Sequence, residues 1–269
     1  MTGDDFLSGE SGYVAGIRHT SRAIVSDLVA DTRGLARLQR PRLRRAAAAL
    51  PRRRLLALAL ERPDVPNLLA AARQELLRSR HDVRFVSAPV GDRGKFENLN
   101  ELLRSQSADG YDWLLVIDDD VALPRGFLDM FLFLAERFEL RLAQPAHRSR
   151  SHAAWKVTRR RAGSVVRETA FVEIGPVTAF HRTTFDALLP FPGLRVGWGL
   201  DAHWAAIARE RGWRIGVIDA TPVLHNLRPV AASYGHAVAI AEAREFLGDR
   251  PYVKAAEAQR TLVEHRSWR

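Results

Sequence analysis

Cysteine is absent from the 269 residues. That excludes disulfides, thiolate nucleophiles and thiolate metal sites, so any metal must rest on carboxylate, imidazole or backbone oxygen. Lysine is scarce: of 41 basic residues only Lys95, Lys156 and Lys254 are not arginine. Long apolar runs are missing too. Residues 54–60 are too few to span a bilayer, and residues 127–135 are interrupted by Asp129. Asp4 and Asp5 stand where a secretory leader would be basic, and a cytoplasmic protein is expected. The first apolar run is not followed by Gly-x-Gly-x-x-Gly, which argues against a dinucleotide-binding enzyme. The formal charge of +10 suits a phosphate-bearing substrate, an acidic membrane surface or nucleic acid, and chooses none of them.

What is present begins with an arginine-rich extension over residues 1–51. Tyr13, Ile17, Ile24, Val25 and Leu28 recur at helical spacing, which predicts an amphipathic helix over 13–30. Between Arg33 and Arg54 there are nine arginines and no acid. The expectation is a cap whose apolar stripe is buried against the body or a second subunit. A peripheral contact with the inner face of the membrane uses the same features and stays open, as does a homo-oligomer.

From residue 52 the pattern alternates. Apolar strands at 55–60, 83–86 and 113–117 are separated by helices at 68–77 and 96–103. Such alternation predicts an α/β domain, 52–235, with a mostly parallel central sheet flanked by helices. Ligands in these sheets sit beyond the strand ends, where Glu61, residues 87–95 and residues 118–120 fall. A hairpin is expected from 155–158 and 165–167, further strand over 171–180 and at 215–218, and a helix over 201–209. Two helices are expected in 236–269, the second beginning near Pro251.

The densest chemistry is Leu114-Leu115-Val116-Ile117-Asp118-Asp119-Asp120. Three adjacent carboxylates at a strand end repel one another unless a cation compensates them. Mn²⁺ or Mg²⁺ does so, with diphosphate oxygens completing its shell. The run Ile117-Asp118-Asp119-Asp120-Val121-Ala122-Leu123-Pro124 resembles the Asp-x-Asp signature of nucleotide-sugar glycosyltransferases of the GT-A fold, Rossmann-like single domains with an inverting branch. The resemblance implies Asp120 as metal ligand and Asp118 and Asp119 at the donor. Upstream, Gly94-Lys95-Phe96-Glu97-Asn98-Leu99-Asn100 is similar to the element preceding that signature, and implies donor contacts by Lys95 and Asn98. Glu61, at the end of the first strand, is placed near the nucleobase by the same likeness.

Val196-Gly197-Trp198-Gly199-Leu200-Asp201 resembles the Trp-Gly-x-Glu-Asp segment of inverting members. It implies Asp201 as the general base for an acceptor hydroxyl and Trp198 as a stacking platform for sugar. A helix cap is the competing role for Asp201. His225, after the 215–218 strand, matches the histidine that several members contribute to the metal. The implied activity is metal-dependent transfer of a hexosyl-type group from a nucleotide-sugar donor, a UDP-sugar in the favoured case, to a hydroxyl acceptor. An anionic or lipid-linked acceptor stays open. The enzymatic alternatives are a nucleotidyltransferase or phosphate-ester hydrolase. A basic nucleic-acid-binding protein, using Arg148 to Arg161 with Trp155, is the alternative of another class, and the three aspartates would repel its partner.

Overall fold

The computed structural model describes residues 4–10, 12–36, 38–228 and 235–269. The chain opens with α1 (Ile17–Ala36) and α2 (Gln39–Ala47). An alternating stretch follows: β1 (Arg54–Glu61), α3 (Leu69–Leu77), β2 (Asp82–Pro89), α4 (Lys95–Ser105) and β3 (Trp113–Ile117). Next come α5 (Phe127–Arg137), β4 (Leu140–His147), β5 (Val166–Thr169), β6 (Val177–His181) and α6 (Phe185–Leu188). The remainder is α7 (Leu200–Glu210), β7 (Arg214–Val223), α8 (His236–Leu247), α9 (Ala255–Ala258) and β8 (Thr261–His265). Residues 229–234, just before the predicted domain boundary at 235, lie outside the described residues.

Strand β1 shows why the alternating half folds as a covered sheet. Its side chains alternate between faces, and both faces are apolar. Leu56 and Leu58 join Leu114 and Val116 under α4 and α7, where Phe96, Leu99 and Trp204 pack. Leu55, Ala57 and Ala59 join Trp113, Leu115 and Ile117 on the other face, beneath Leu69, Leu76, Phe127 and Phe131 of α3 and α5.

One sheet holds all eight described strands, in the order β2-β1-β3-β6-β4-β7-β5-β8. It is mixed, which corrects the expectation of a mostly parallel sheet. β1 runs parallel to β2 and β3, and β4 to β7, whereas β6 opposes β3 and β4, and β5 opposes β7 and β8. A parallel neighbour needs a long, usually helical crossover. Residues 148–176 contain no α-helix, and β5 within that stretch and β6 after it run antiparallel to their neighbours. The expected hairpin is absent as well. Lys156–Thr158 is a single 3₁₀ turn, and β5 pairs with β7 and with β8, a strand standing where helix was expected. The last helix, α9, is only four residues long.

The N-terminal helix is present, and its stripe is not packed on the body, the first of the two placements expected for a cap. Its apolar stripe faces outward, with Ile17 88 % and Leu28 59 % exposed. The face turned to the body carries Ala23 and Asp27, and Asp27 is only 3 % exposed. Asp27 accepts from the amide of Ser149 at 2.8 Å and from Arg150, while Asp31 pairs with Arg148 and Arg160. Charge pairing with the 148–160 loop therefore sets the pose of α1. The same pairing occupies much of the basic run that a nucleic acid would need, since Arg159 is spent on the carbonyls of Ser149, Ser151 and Ala153. Among the described residues no helix is long and apolar enough to cross a membrane.

Candidate functional site at the strand ends

The pairing directions gather the polar groups at one edge of the sheet. β1, β3, β4 and β7 all point the same way, so Asp118 to Asp120, His147 and His225 emerge together. β6 points the other way, so its approach, residues 173–176, arrives at that same edge. Two backbone links close the array. Ala122 and Leu224 exchange amide–carbonyl bonds of 2.9 and 3.2 Å, drawing Asp120 and His225 together, and the Asp118 amide donates to the Pro176 carbonyl at 2.8 Å.

The three aspartates have different surroundings. Asp119 is buried and accepts from the Arg62 amide at 2.9 Å, the Arg62 guanidinium at 2.5 Å and the Arg228 guanidinium. Its carbonyl also accepts from Leu68. Asp119 thus ties the ends of β1 and β7 together and holds two guanidinium groups beside the site. Asp118 lies 2.6 Å from Lys95 Nζ, which also donates to the Ile174 carbonyl at 3.3 Å. A side chain at Gly175 would come within 3.0 Å of Asp118 Oδ2 and 3.4 Å of Lys95 Nζ, so glycine keeps this corner clear.

Asp120 is buried against His225. Its Oδ2 is 3.2 Å from Arg228, while Oδ1 faces His225 Nε2 at 3.1 Å and receives no well-directed hydrogen bond among the described residues. His225 Nδ1 lies 3.2 Å from the His152 carbonyl, which favours a proton on Nδ1 and leaves Nε2 turned towards the carboxylate. Two acceptors at that distance need a proton or a metal cation between them. Burial raises the carboxyl pKa of Asp120, but His225, Arg228 and Arg62 outweigh it and hold the group below its ordinary value. Burial likewise depresses His225, and the neighbouring Asp120 reverses the effect and raises it. Among the described residues no three His, Asp or Glu side chains form a metal cage by themselves.

Asp201 lies in the first turn of α7, whose preceding residue is Gly199. Its Oδ1 accepts from the Ala202 amide at 2.9 Å, and the Ile174 amide also binds the carboxylate. Ile174 therefore touches Asp201 through its N–H and Lys95 through its C=O. Burial, and secondarily the charge of Glu173, push the Asp201 pKa up to about 7 against those amides. Glu173 is itself held: Oε2 lies 3.2 Å from His147 Nε2, and its amide donates to Gln144 Oε1 at 2.5 Å. Glu173 and His147 carry no signal in the sequence. Neither belongs to a dense motif, and Glu173 precedes a strand instead of ending one.

The other expected residues stand around this array. Asn98 donates to the carbonyls of Val90 and Arg93, fixing the loop before α4. Glu61 ends β1, and its Oε1 is 3.5 Å from Asn67 Nδ2. The glycines flanking Trp198 are filled by protein: a side chain at Gly197, with φ of 90°, would strike Phe96, and one at Gly199 would strike Leu247. Trp198 is half-buried against the core beneath α7 and meets His236 edge-on at 5.5 Å. Asp219 pairs with buried Arg167 at 2.8 Å, away from the aspartate cluster.

No family model and no curated protein matches the chain. Solved structures do. GalNAc-T7 with UDP, GalNAc and Mn²⁺ is similar at 10 % identity and a TM-score of 0.46, over 73 % of this chain and 48 % of its own. This chain thus spans about half the length of that relative. A197 from STIV matches at 13 % identity and 0.45, over 65 % of this chain and 86 % of its own. The catalytic domain of Drosophila beta1,4galactosyltransferase 7, complexed with xylobiose, matches at 14 % identity and 0.44, over 71 % and 80 %. These are partial likenesses in chain path.

Proposed function

We propose that the chain is a metal-dependent glycosyltransferase that moves a sugar from a nucleotide-sugar donor, a UDP-sugar in the favoured case, to an acceptor hydroxyl. The observation that carries the reading is the pair formed by Asp120 Oδ1 and His225 Nε2, 3.1 Å apart on two buried residues at the strand ends. One carboxylate and one imidazole fit a single Mn²⁺ or Mg²⁺ and leave most of its shell to diphosphate oxygens and water. When bound, such an ion supplies positive charge to the donor diphosphate and to the departing nucleotide. Arg62, Arg228 and Lys95 stand beside the same aspartates and suit the remaining phosphate charge.

Asp201 is the proposed base. A carboxylate near neutral pKa accepts a proton far better than one at its ordinary value, and burial provides that shift. The acceptor oxygen forms its bond to the anomeric carbon as the bond to donor phosphate breaks. The electron pair leaves with the nucleoside diphosphate, and the hydroxyl proton passes to Asp201. One displacement inverts the anomeric centre. Ile174, bonded to both Asp201 and Lys95, supports this arrangement by fixing the spacing of base and donor sides. The test is a panel of UDP-, GDP-, dTDP- and CDP-sugars scored for Mn²⁺-dependent thermal stabilisation and then for turnover. Metal-independent binding of every donor would refute the reading.

A further inference from the structure

Away from the strand-end cluster, a cavity of about 230 Å³ opens between α1, α2, the 160–164 turn and the C-terminal segment. Arg33, Arg42, Arg160, Arg161, Arg266 and Arg269 all line it. Three are compensated: Arg160 by Asp31 at 2.6 Å, and Arg161 and Arg266 by the single carboxylate of Glu264 at 2.8 and 2.9 Å. Among the described residues the one acidic side chain on the cavity wall, Asp219, is already engaged by Arg167. The guanidinium groups of Arg33, Arg42 and Arg269 have no ion pair or hydrogen bond among the described residues.

Helix-end electrostatics account for Arg33 alone, since it sits in the last turn of α1. They do not account for Arg42 inside α2, nor for Arg269. The excess charge extends beyond the cavity wall. Burial and then the charges of Arg44 and Arg148 hold the neighbouring Arg40 below the ordinary guanidinium range. The C-terminal wall is anchored, because Trp268 packs on the core and its carbonyl accepts from Arg137 at 3.0 Å. Converging guanidinium forks repel one another when empty and match the oxygens of a phosphate ester, which they bind bidentately.

We propose that this cavity is a second anion site, which takes a phosphomonoester or diphosphate group from a soluble ligand or from an anionic lipid headgroup. It is independent of the glycosyltransferase reading, which uses none of these six arginines. The test titrates inorganic pyrophosphate into the full chain by calorimetry, with chelator present to exclude divalent metal. Arg33→Ala/Arg42→Ala/Arg269→Ala should weaken saturable binding at least tenfold. An equal-charge control, Arg52→Ala/Arg73→Ala/Arg84→Ala, should stay within twofold. The single variant Arg42→Gln, at an exposed position, should weaken binding about threefold and serves if the triple variant misfolds. A parallel arm uses phosphatidylglycerol and phosphatidylcholine vesicles. Selective binding to phosphatidylglycerol that the cavity variant loses assigns the lipid headgroup, and pyrophosphate binding alone assigns a soluble phosphate. Equal losses in the cavity and control variants, or no saturable binding in either arm, would overturn the proposal.

Discussion

Glu173 Oε2 stands 3.2 Å from His147 Nε2, and the charge of Glu173 adds to burial in raising the Asp201 carboxyl to about 7. In the proposed mechanism Glu173 is therefore a positioning residue that acts through Asp201. Glu173→Gln should move the acidic limb of the kcat/KM profile to lower pH while keeping most of the plateau rate. Asp201→Asn should remove the plateau itself, by roughly 10²-fold or more. An unchanged limb in Glu173→Gln would separate the two groups.

Asp201 also makes a stability prediction whose sign is fixed. Its folded pKa of about 7 lies above the ordinary 3.8, so between those values the folded state holds more protons than the unfolded chain. The contribution of this group to stability is fully present below about pH 4 and is lost as pH rises through 7. Asp201→Asn should therefore gain melting temperature relative to the parent when both are taken from pH 5 to pH 8. A difference between the two proteins that does not vary with pH would contradict the buried-acid assignment.

The neighbouring aspartates should separate by experiment. Asp119→Ala strips Arg62 and Arg228 of their shared partner. It should cost roughly 2–3 kcal/mol, less than a fully buried pair, because Arg62 keeps about a third of its side chain in water. Asp120→Asn keeps the shape of its side chain and should leave the melting temperature within a few degrees while removing metal-dependent donor binding. Chemical denaturation of both variants checks this, and equal destabilisation would make Asp120 a structural acid like its neighbour.

Gly94 and Gly197 join the start of α4 to the loop carrying Trp198. A side chain at Gly94 would meet the Arg195 backbone at 2.0 Å, and one at Gly197 would meet Phe96 at 2.1 Å. Neither helix start nor loop can yield without moving Lys95 or Asp201. Gly197→Ala, at φ of 90°, should cost about 1–3 kcal/mol from backbone strain alone, and more with the clash. Thermal melts decide it: a cost below half a kcal/mol would mean that the loop shifts freely.

The alternating half was legible in the sequence because its strands are buried on both faces and its helices are amphipathic. Trp113–Ile117 stands at the predicted limits. The mixed order was not legible, because β5 and β8 are short strands whose partners lie far along the chain. Asp118, Asp120 and His225 stood out as polar groups at the ends of apolar runs. Glu173 and His147 did not, since only the antiparallel return of β6 brings residue 173 to the edge where β4 ends. The pose of α1 was not legible because Asp27 and Asp31 find their cationic partners more than a hundred residues away.

The central claim is that Asp120 and His225 share a divalent cation with the donor diphosphate. Its most direct measurement is equilibrium binding of the productive nucleotide-sugar by calorimetry, with Mn²⁺ and with chelator, for the parent protein and for Asp120→Asn and His225→Ala. Chelation should weaken donor binding at least tenfold in the parent and hardly change the already weak binding of either variant. Donor binding that is equally tight with Mn²⁺ and with chelator in the parent would contradict it.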